Sequence, residues 1–352
     1  MGHTIKLLLL LPFLLSAQTS TGFYGRGCGG SGCAWSHFAS AGNHTTDPVF
    51  VYVTGGGGSS YATVCPPNVG NPDICAQLTA ATSAGYQAYT PLYTLPIGGA
   101  ALPAANQDLA CFFSTAVANP STFPGNWQNI LLVGESFGPV VMNPVFAGPV
   151  GKYLTDSNGN CATSNTNWHI SAVGYISGIP NFYDATNGFC ALKSADCSDW
   201  WHTAPTLAQM QDASLDFWLS VWQTKGWPRL VQLYGTADVT IPPPSAALLA
   251  SDIAAGGFTG LNVQVQVLAG YGHPVDDGVI NAADSWPFNL ANIAGQSTPN
   301  CNHTAPGSGG LYPAPAGYPI CGSLGYAGRY SLDVFLPKAS GSSGVSSAAG
   351  GS

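Results

Sequence analysis

Residues Asn129 to Gly138 read Asn-Ile-Leu-Leu-Val-Gly-Glu-Ser-Phe-Gly. The apolar run Asn129 to Val133 predicts a strand buried on both faces, where alternation between apolar and polar positions is lost. Gly134 to Gly138 falls at the end of that strand, and the segment after it, to about Tyr153, predicts a helix. Ser136 is thereby placed on a sharp strand-to-helix turn, with its hydroxyl presented at the sheet edge and the first N–H groups of the helix free. The pattern Gly-x-Ser-x-Gly carries little weight by itself: in 352 residues with 45 glycines, chance supplies it about half a time. Position between a strand and a helix is what separates it from a structural glycine-rich turn.

Working outward, Val49 to Thr54 is a second buried-strand run, ended by four glycines, Gly55 to Gly58. Tyr86 to Leu95 reads as a strand or extended segment with a break at Pro91. Ile170 to Ile176, Leu230 to Tyr234 and Val263 to Leu268 are further strands. Helices are predicted over residues 73–84, over Gln107 to Ala118, where Leu109, Phe112, Phe113 and Val117 recur at helical spacing, and around Ser245 to Ala254. Strands that alternate with helices predict an α/β fold with a doubly wound, mostly parallel sheet. The expected organisation is a leader over 1–17, a Cys/Gly-rich irregular arm over 18–46, and the α/β domain over 47–295 with an irregular, aromatic-rich insertion at about 180–228. A disulfide-stapled extension over 296–338 and a Gly/Ser-rich tail over 339–352 follow.

The leader rests on Lys6, the apolar run Leu7 to Leu15 and the small residues Ser16-Ala17 before Gln18, the layout of a signal peptide. No later stretch approaches the ~20 apolar residues of a membrane span, so an exported chain without an integral membrane segment is expected. Ten cysteines suit an oxidising compartment. Cys28 with Cys33, Cys65 with Cys75, Cys190 with Cys197 and Cys301 with Cys321 would close short loops, leaving Cys111 and Cys161 to join more distant elements; sequence does not fix this connectivity. Asn43-His44-Thr45 and Asn302-His303-Thr304 fit the N-glycosylation pattern. Only 7% of residues are charged, the net charge is -8, and Lys and Arg number eight. With no basic patch to neutralise phosphates, neither nucleic acid nor an anionic membrane surface is an expected partner.

A serine hydroxyl is a poor nucleophile at neutral pH and needs a histidine base, itself oriented by an acid. Of seven histidines, His3 belongs to the leader, His44 and His303 lie in the sequons, and His37 is in the N-terminal arm. His169 precedes a strand, at the wrong end of a parallel sheet for chemistry, and His202 lies in the aromatic insertion. His273 remains, in Gly270-Tyr271-Gly272-His273-Pro274, on a loop at the carboxyl edge of the sheet. Asp238, in Gly235-Thr236-Ala237-Asp238, follows the strand ending at Tyr234 and reaches the same edge. Asp276 and Asp277 follow the histidine and read better as a solvated turn.

Ser136, Asp238 and His273, in that order and each after a strand, resemble the α/β-hydrolase superfamily in its esterase and lipase branch, over about residues 48 to 293. The resemblance implies a Ser-His-Asp triad, an acyl-enzyme, a small-molecule or lipid ester as substrate, and no cofactor or metal. It also implies oxyanion donors: the N–H of Phe137, and one from Gly55 to Gly58, with Gly57 and Gly58 favoured. The glycine loop departs from the usual motif in having Thr54 where a histidine is common. The insertion carries Phe182, Tyr183, Phe189, Trp200, Trp201, Phe217, Trp218, Trp222 and Trp227, and commonly forms a cap in such proteins. Leu215, Trp218, Leu219 and Trp222 recur at helical spacing and read as cap core.

Three alternatives stay open. A serine carboxypeptidase also begins its turn Gly-Glu-Ser, but the Asn-Gly-Gly-Pro-Gly loop of that family is absent here. An acyltransferase would use the same three residues in a site that excludes water. A non-catalytic binding protein on the same fold would have little need of all three. Metal catalysis has no His-Glu-x-x-His to rest on.

Overall fold

The computed structural model describes residues 18–25, 32–42, 45–59, 78, 81–82, 85–154, 161, 163–226, 229–258, 261–268, 273 and 320–321. Nine strands join in one mixed α/β sheet: β1 (Gln18–Tyr24), β2 (Cys33–Phe38), β3 (Pro48–Val53), β4 (Gln87–Pro91), β5 (Asn126–Glu135), β6 (Ile170–Ile176), β7 (Arg229–Gly235), β8 (Asn262–Leu268) and β9 (Ile320–Cys321). Their spatial order is β1-β2-β4-β3-β5-β6-β7-β8-β9. The pairs β1/β2 and β2/β4 are antiparallel, and the six pairs from β4/β3 to β8/β9 are parallel. Val49 to Val53 and Ile130 to Val133 are fully buried, which is why these central strands read as continuous apolar runs.

The N-terminal arm is not irregular as expected. Gln18–Tyr24 and Cys33–Phe38 form an antiparallel ladder continuous with the sheet, with Gly22 opposite Trp35. The glycine is needed there: a Cβ would lie 2.9 Å from the indole Nε1 of Trp35. Trp35 packs on Phe123 at 4.6 Å between ring centroids, and Tyr24 on Phe112 at 5.2 Å. The strand signal was hidden because glycine and polar residues occupy positions that the core fills from neighbouring elements.

Helix α1 (Ala104–Ala118) packs on α2 (Gly138–Phe146), and the side chain of Asn106 donates to the carbonyls of Val140 and Val141 at 2.8 and 2.9 Å. Helix α2 ends at Phe146, well before Tyr153. Gly148-Pro149 explains the stop, because the residue before proline is disfavoured in helical conformation. The Lys225 ammonium covers this end, donating to the carbonyls of Phe146 and Gly148. Burial of Lys225 lowers its pKa to about 8.

The aromatic insertion is helical where an irregular segment was expected. It holds α3 (Phe189–Leu192), α4 (Ser194–Trp201), α5 (Leu207–Ala213), a 3₁₀ turn (Asp216–Trp218) and α6 (Leu219–Lys225); α7 (Pro243–Gly256) follows β7. Pieces of four to eight residues are too short to show a clear helical period. Helix α5 starts at a capping box, in which Thr206 accepts from the Gln209 amide. Leu215, Leu219 and Trp222 are buried, as expected of cap core.

Cys190 pairs with Cys197, and Cys111 with Cys161 across 50 residues. The other three expected pairings each include a cysteine outside the described residues; the leader, Asn43, Asn302, nearly all of the C-terminal extension and the tail also lie outside them. Of the helix expected over 73–84, only residues 78, 81 and 82 are described, and they are helical. No helix among the described residues is long and apolar enough to cross a membrane.

Candidate active site

Ser136 follows β5 and precedes α2, with φ of 55°, a left-handed conformation that a side chain adopts at a cost of order 1–3 kcal/mol. Surrounding structure holds it there. Its N–H donates to the Ile176 carbonyl of β6 at 2.8 Å. The flanking glycines allow close approach rather than flexibility: a Cβ at residue 134 would lie 2.3 Å from Met142 Sδ, and one at residue 138 only 2.2 Å from the Val53 carbonyl oxygen. Glu135, the single glutamate of the chain, is buried and accepts from the Tyr52 hydroxyl.

Ser136 Oγ lies 2.8 Å from His273 Nε2, and His273 Nδ1 lies 2.8 Å from Asp238 Oδ2. These three groups come from 137 and 35 positions apart in the chain. The carboxylate only accepts, so in the neutral ring Nδ1 carries the proton and Nε2 is the acceptor for the serine hydroxyl. Asp238 is held in turn: Oδ1 accepts from the amides of Thr240 at 2.9 Å and Ile241 at 2.8 Å, and the residue is 2% exposed. Three hydrogen bonds, two at Oδ1 and one at Oδ2, thus aim the carboxylate. Asp276 and Asp277 lie outside the described residues.

The glycine loop meets the same point. A Cβ on Gly55 would lie 2.8 Å from Ser136 Cβ, so the end of β3 abuts the serine. Gly56, Gly57 and Gly58 all have positive φ, at 114°, 64° and 78°. Their carbonyls are engaged: Gly56 accepts from the Ser59 amide, Gly57 from Trp200 Nε1 and Gly58 from the Ile97 amide, at 3.2, 2.8 and 2.9 Å. The amides of Phe137, Gly57 and Gly58 have no acceptor among the described residues.

The remaining described histidines have other work. His37 is buried, stacks on Tyr89 and bonds Gln87 at 2.8 Å, and burial lowers its pKa. His169 precedes β6 at the opposite end from Ser136, and burial lowers its pKa also. His202 Nε2 donates to the Pro96 carbonyl at 2.7 Å, tying the insertion to the segment after β4. A recess lies beside α1, lined by Leu102, Asn106, Tyr153, Trp201 and Asp212 among others; Ser136 does not line it. Among the described residues no cluster of His, Cys, Asp and Glu suits a metal ion. Sequence reasoning had no rule linking Trp200 to Gly57, 143 positions away.

No family profile and no curated protein matches the chain. Solved structures do. A truncated carbohydrate esterase from gut microbiota superposes with a TM-score of 0.56 at 15% identity, over 74% of this chain and 92% of that one. The thermophilic esterase Est2 from the Planctomycetes species Thermogutta terrifontis, with propionate bound, gives 0.54 at 14% identity over 73% and 85%. At such identities the likeness is one of fold, which the chain shares with these two esterases.

Proposed function

We propose that the chain is a secreted serine hydrolase of the α/β-hydrolase type, with a doubly wound sheet, that cleaves carboxylic esters. One observation carries this: the hydrogen-bonded sequence Ser136, His273, Asp238, beside a glycine loop in which the amides of Gly57 and Gly58 have no acceptor among the described residues. His273 Nε2 takes the hydroxyl proton as Ser136 Oγ attacks the ester carbonyl, and Asp238 stabilises the resulting imidazolium. The developing oxyanion is held by the N–H of Phe137 together with that of Gly57 or Gly58. As the tetrahedral intermediate collapses, the imidazolium returns the proton to the departing alkoxide, leaving an acyl-enzyme. Water then attacks the acyl carbon, His273 takes its proton and passes it back to Ser136, and the acid leaves. The Cys111–Cys161 and Cys190–Cys197 disulfides support an oxidising compartment, in keeping with the leader-like residues 1–17.

The test is covalent labelling with a fluorophosphonate beside a Ser136→Ala variant, followed by p-nitrophenyl esters from acetate to octanoate and by peptide substrates. Ser136-dependent labelling with ester turnover is expected. Absence of labelling in the wild type would end the serine-hydrolase assignment, and turnover of peptides without esters would move it to the peptidases.

A further inference from the structure

We propose that Trp200, in the aromatic insertion, is a positioning residue for the oxyanion hole, which makes the insertion part of the catalytic apparatus rather than only a cover. This rests on the ester-hydrolase reading above and assigns a role to a residue outside the triad.

Three consecutive glycines at positive φ form the most conformationally free stretch beside the serine. Such a loop aims an N–H reliably only if its peptide planes are fixed from the other side. In a planar trans peptide, the carbonyl of one residue and the N–H of the next point in opposite directions. Fixing the Gly57 carbonyl therefore fixes the Gly58 N–H. The group that fixes it is the indole N–H of Trp200, donating to Gly57 at 2.8 Å. The neighbouring carbonyls of Gly56 and Gly58 accept from the backbone amides of Ser59 and Ile97, whereas the Gly57 carbonyl accepts from a side chain 143 positions away.

The same indole touches the other side of the hole. Its ring meets Phe137, whose amide is the second donor, edge-on at 4.8 Å between centroids. A Cβ on Gly58 would lie 3.0 Å from Trp200 Nε1, so the loop is packed directly against the ring edge. Trp200 is itself restrained: it stacks on Phe189 at 5.2 Å and 3°, its carbonyl accepts from the Leu102 amide at 3.0 Å, and the Cys190–Cys197 disulfide joins α3 to α4. A ring 5% exposed with its one polar atom engaged presents no face to substrate. Its influence is exerted through the Gly57–Gly58 peptide.

The experiment replaces Trp200 with β-(3-benzothienyl)alanine, which keeps the bicyclic shape and removes the donor, and separately with Phe. Wild type and both variants are assayed with p-nitrophenyl acetate and with a trifluoromethyl ketone, whose hemiketal oxyanion occupies the hole. Loss of a well-placed oxyanion donor lowers kcat by about 10²–10³, and a loop that still samples the right geometry loses less, so a kcat decrease of about tenfold or more is expected. KM should stay within about twofold, and ketone affinity should weaken by the same factor as kcat/KM. A benzothienyl variant with kcat within twofold of wild type overturns the proposal, as does one that raises KM at unchanged kcat. If the wild type itself shows no Ser136-dependent turnover, it is the ester-hydrolase reading that fails.

Discussion

Replacing Asp238 by Asn alters one atom and reverses the proton arrangement of the whole site. The buried carboxylate accepts three hydrogen bonds, two at Oδ1 from the amides of Thr240 and Ile241 and one at Oδ2 from His273 Nδ1. Asparagine has one acceptor oxygen and one NH₂. If the NH₂ faced the two amides, two donors would lose their acceptor at a cost of about 1–3 kcal/mol each. If it faces His273 instead, the imidazole need only change tautomer, so the second orientation wins. Nδ1 then becomes the acceptor, Nε2 carries the proton, and at 2.8 Å from Ser136 Oγ it donates to the nucleophile instead of accepting from it. The base is lost while the packing is kept. The expected fall in kcat is about 10³–10⁴, or about 4–5.5 kcal/mol in barrier, with a change in unfolding free energy of less than about 1.5 kcal/mol. Steady-state kinetics on p-nitrophenyl acetate, a thermal melt and a ¹⁵N spectrum of the histidine ring together check the chain of reasoning. A folded Asp238→Asn protein that retains more than a tenth of the wild-type kcat would refute it.

Two further outcomes follow from packing and from burial. Gly138→Ala should cost about 1–3 kcal/mol or more, since the new methyl meets the Val53 carbonyl and only a shift of β3 relative to α2 relieves it; chemical denaturation measures this, and an unchanged midpoint would contradict the close approach. Asp216 is buried near Asp252 and Asn181 and beside Tyr175, and burial first, then Asp252, raises its pKa well above the usual carboxylate range, with Asn181 acting the other way. The native state therefore holds this proton more tightly than the unfolded chain. Its contribution to stability is complete below about pH 4 and is lost as pH rises through the raised value. Asp216→Asn should accordingly be close to wild type in stability at pH 4 and more stable at pH 8, the advantage growing by up to about 1.4 kcal/mol per pH unit between the ordinary carboxylate range and the raised value. A difference between the two proteins that does not change with pH would contradict this.

What was legible in the sequence divides along a physical line. β3, β5 and β6 are continuous apolar runs because both of their faces are covered, and Ser136, Asp238 and His273 could be singled out because each follows a strand expected from sequence, β5, β7 and β8 in turn. The aromatic insertion was read as irregular because its helices are short, and because rings such as Phe189 and Trp200 pair with one another rather than along a helical stripe. The hairpin of β1 and β2 was missed for a related reason: Gly22 is a poor strand former that is present because Trp35 lies across it. Local pattern exposes an element only when the partner that buries it is regular.

The same reasoning explains why glycine misleads as a compositional signal in this chain. Gly134, Gly138 and Gly55 are each positions where a Cβ would meet another group within 2.8 Å, and all three converge on Ser136. In composition they are indistinguishable from the glycines of the C-terminal tail. Their effect is opposite: they lock the turn by allowing β3, β5 and α2 to approach more closely than any side chain permits. Gly57 differs again, since a Cβ there would meet nothing within 4 Å, and its conformation is fixed by a hydrogen bond to its carbonyl rather than by contact. Rigidity at the proposed oxyanion hole therefore comes from outside the loop. A substitution that leaves every glycine intact but removes the Trp200 donor should disturb the site more than its distance in sequence suggests.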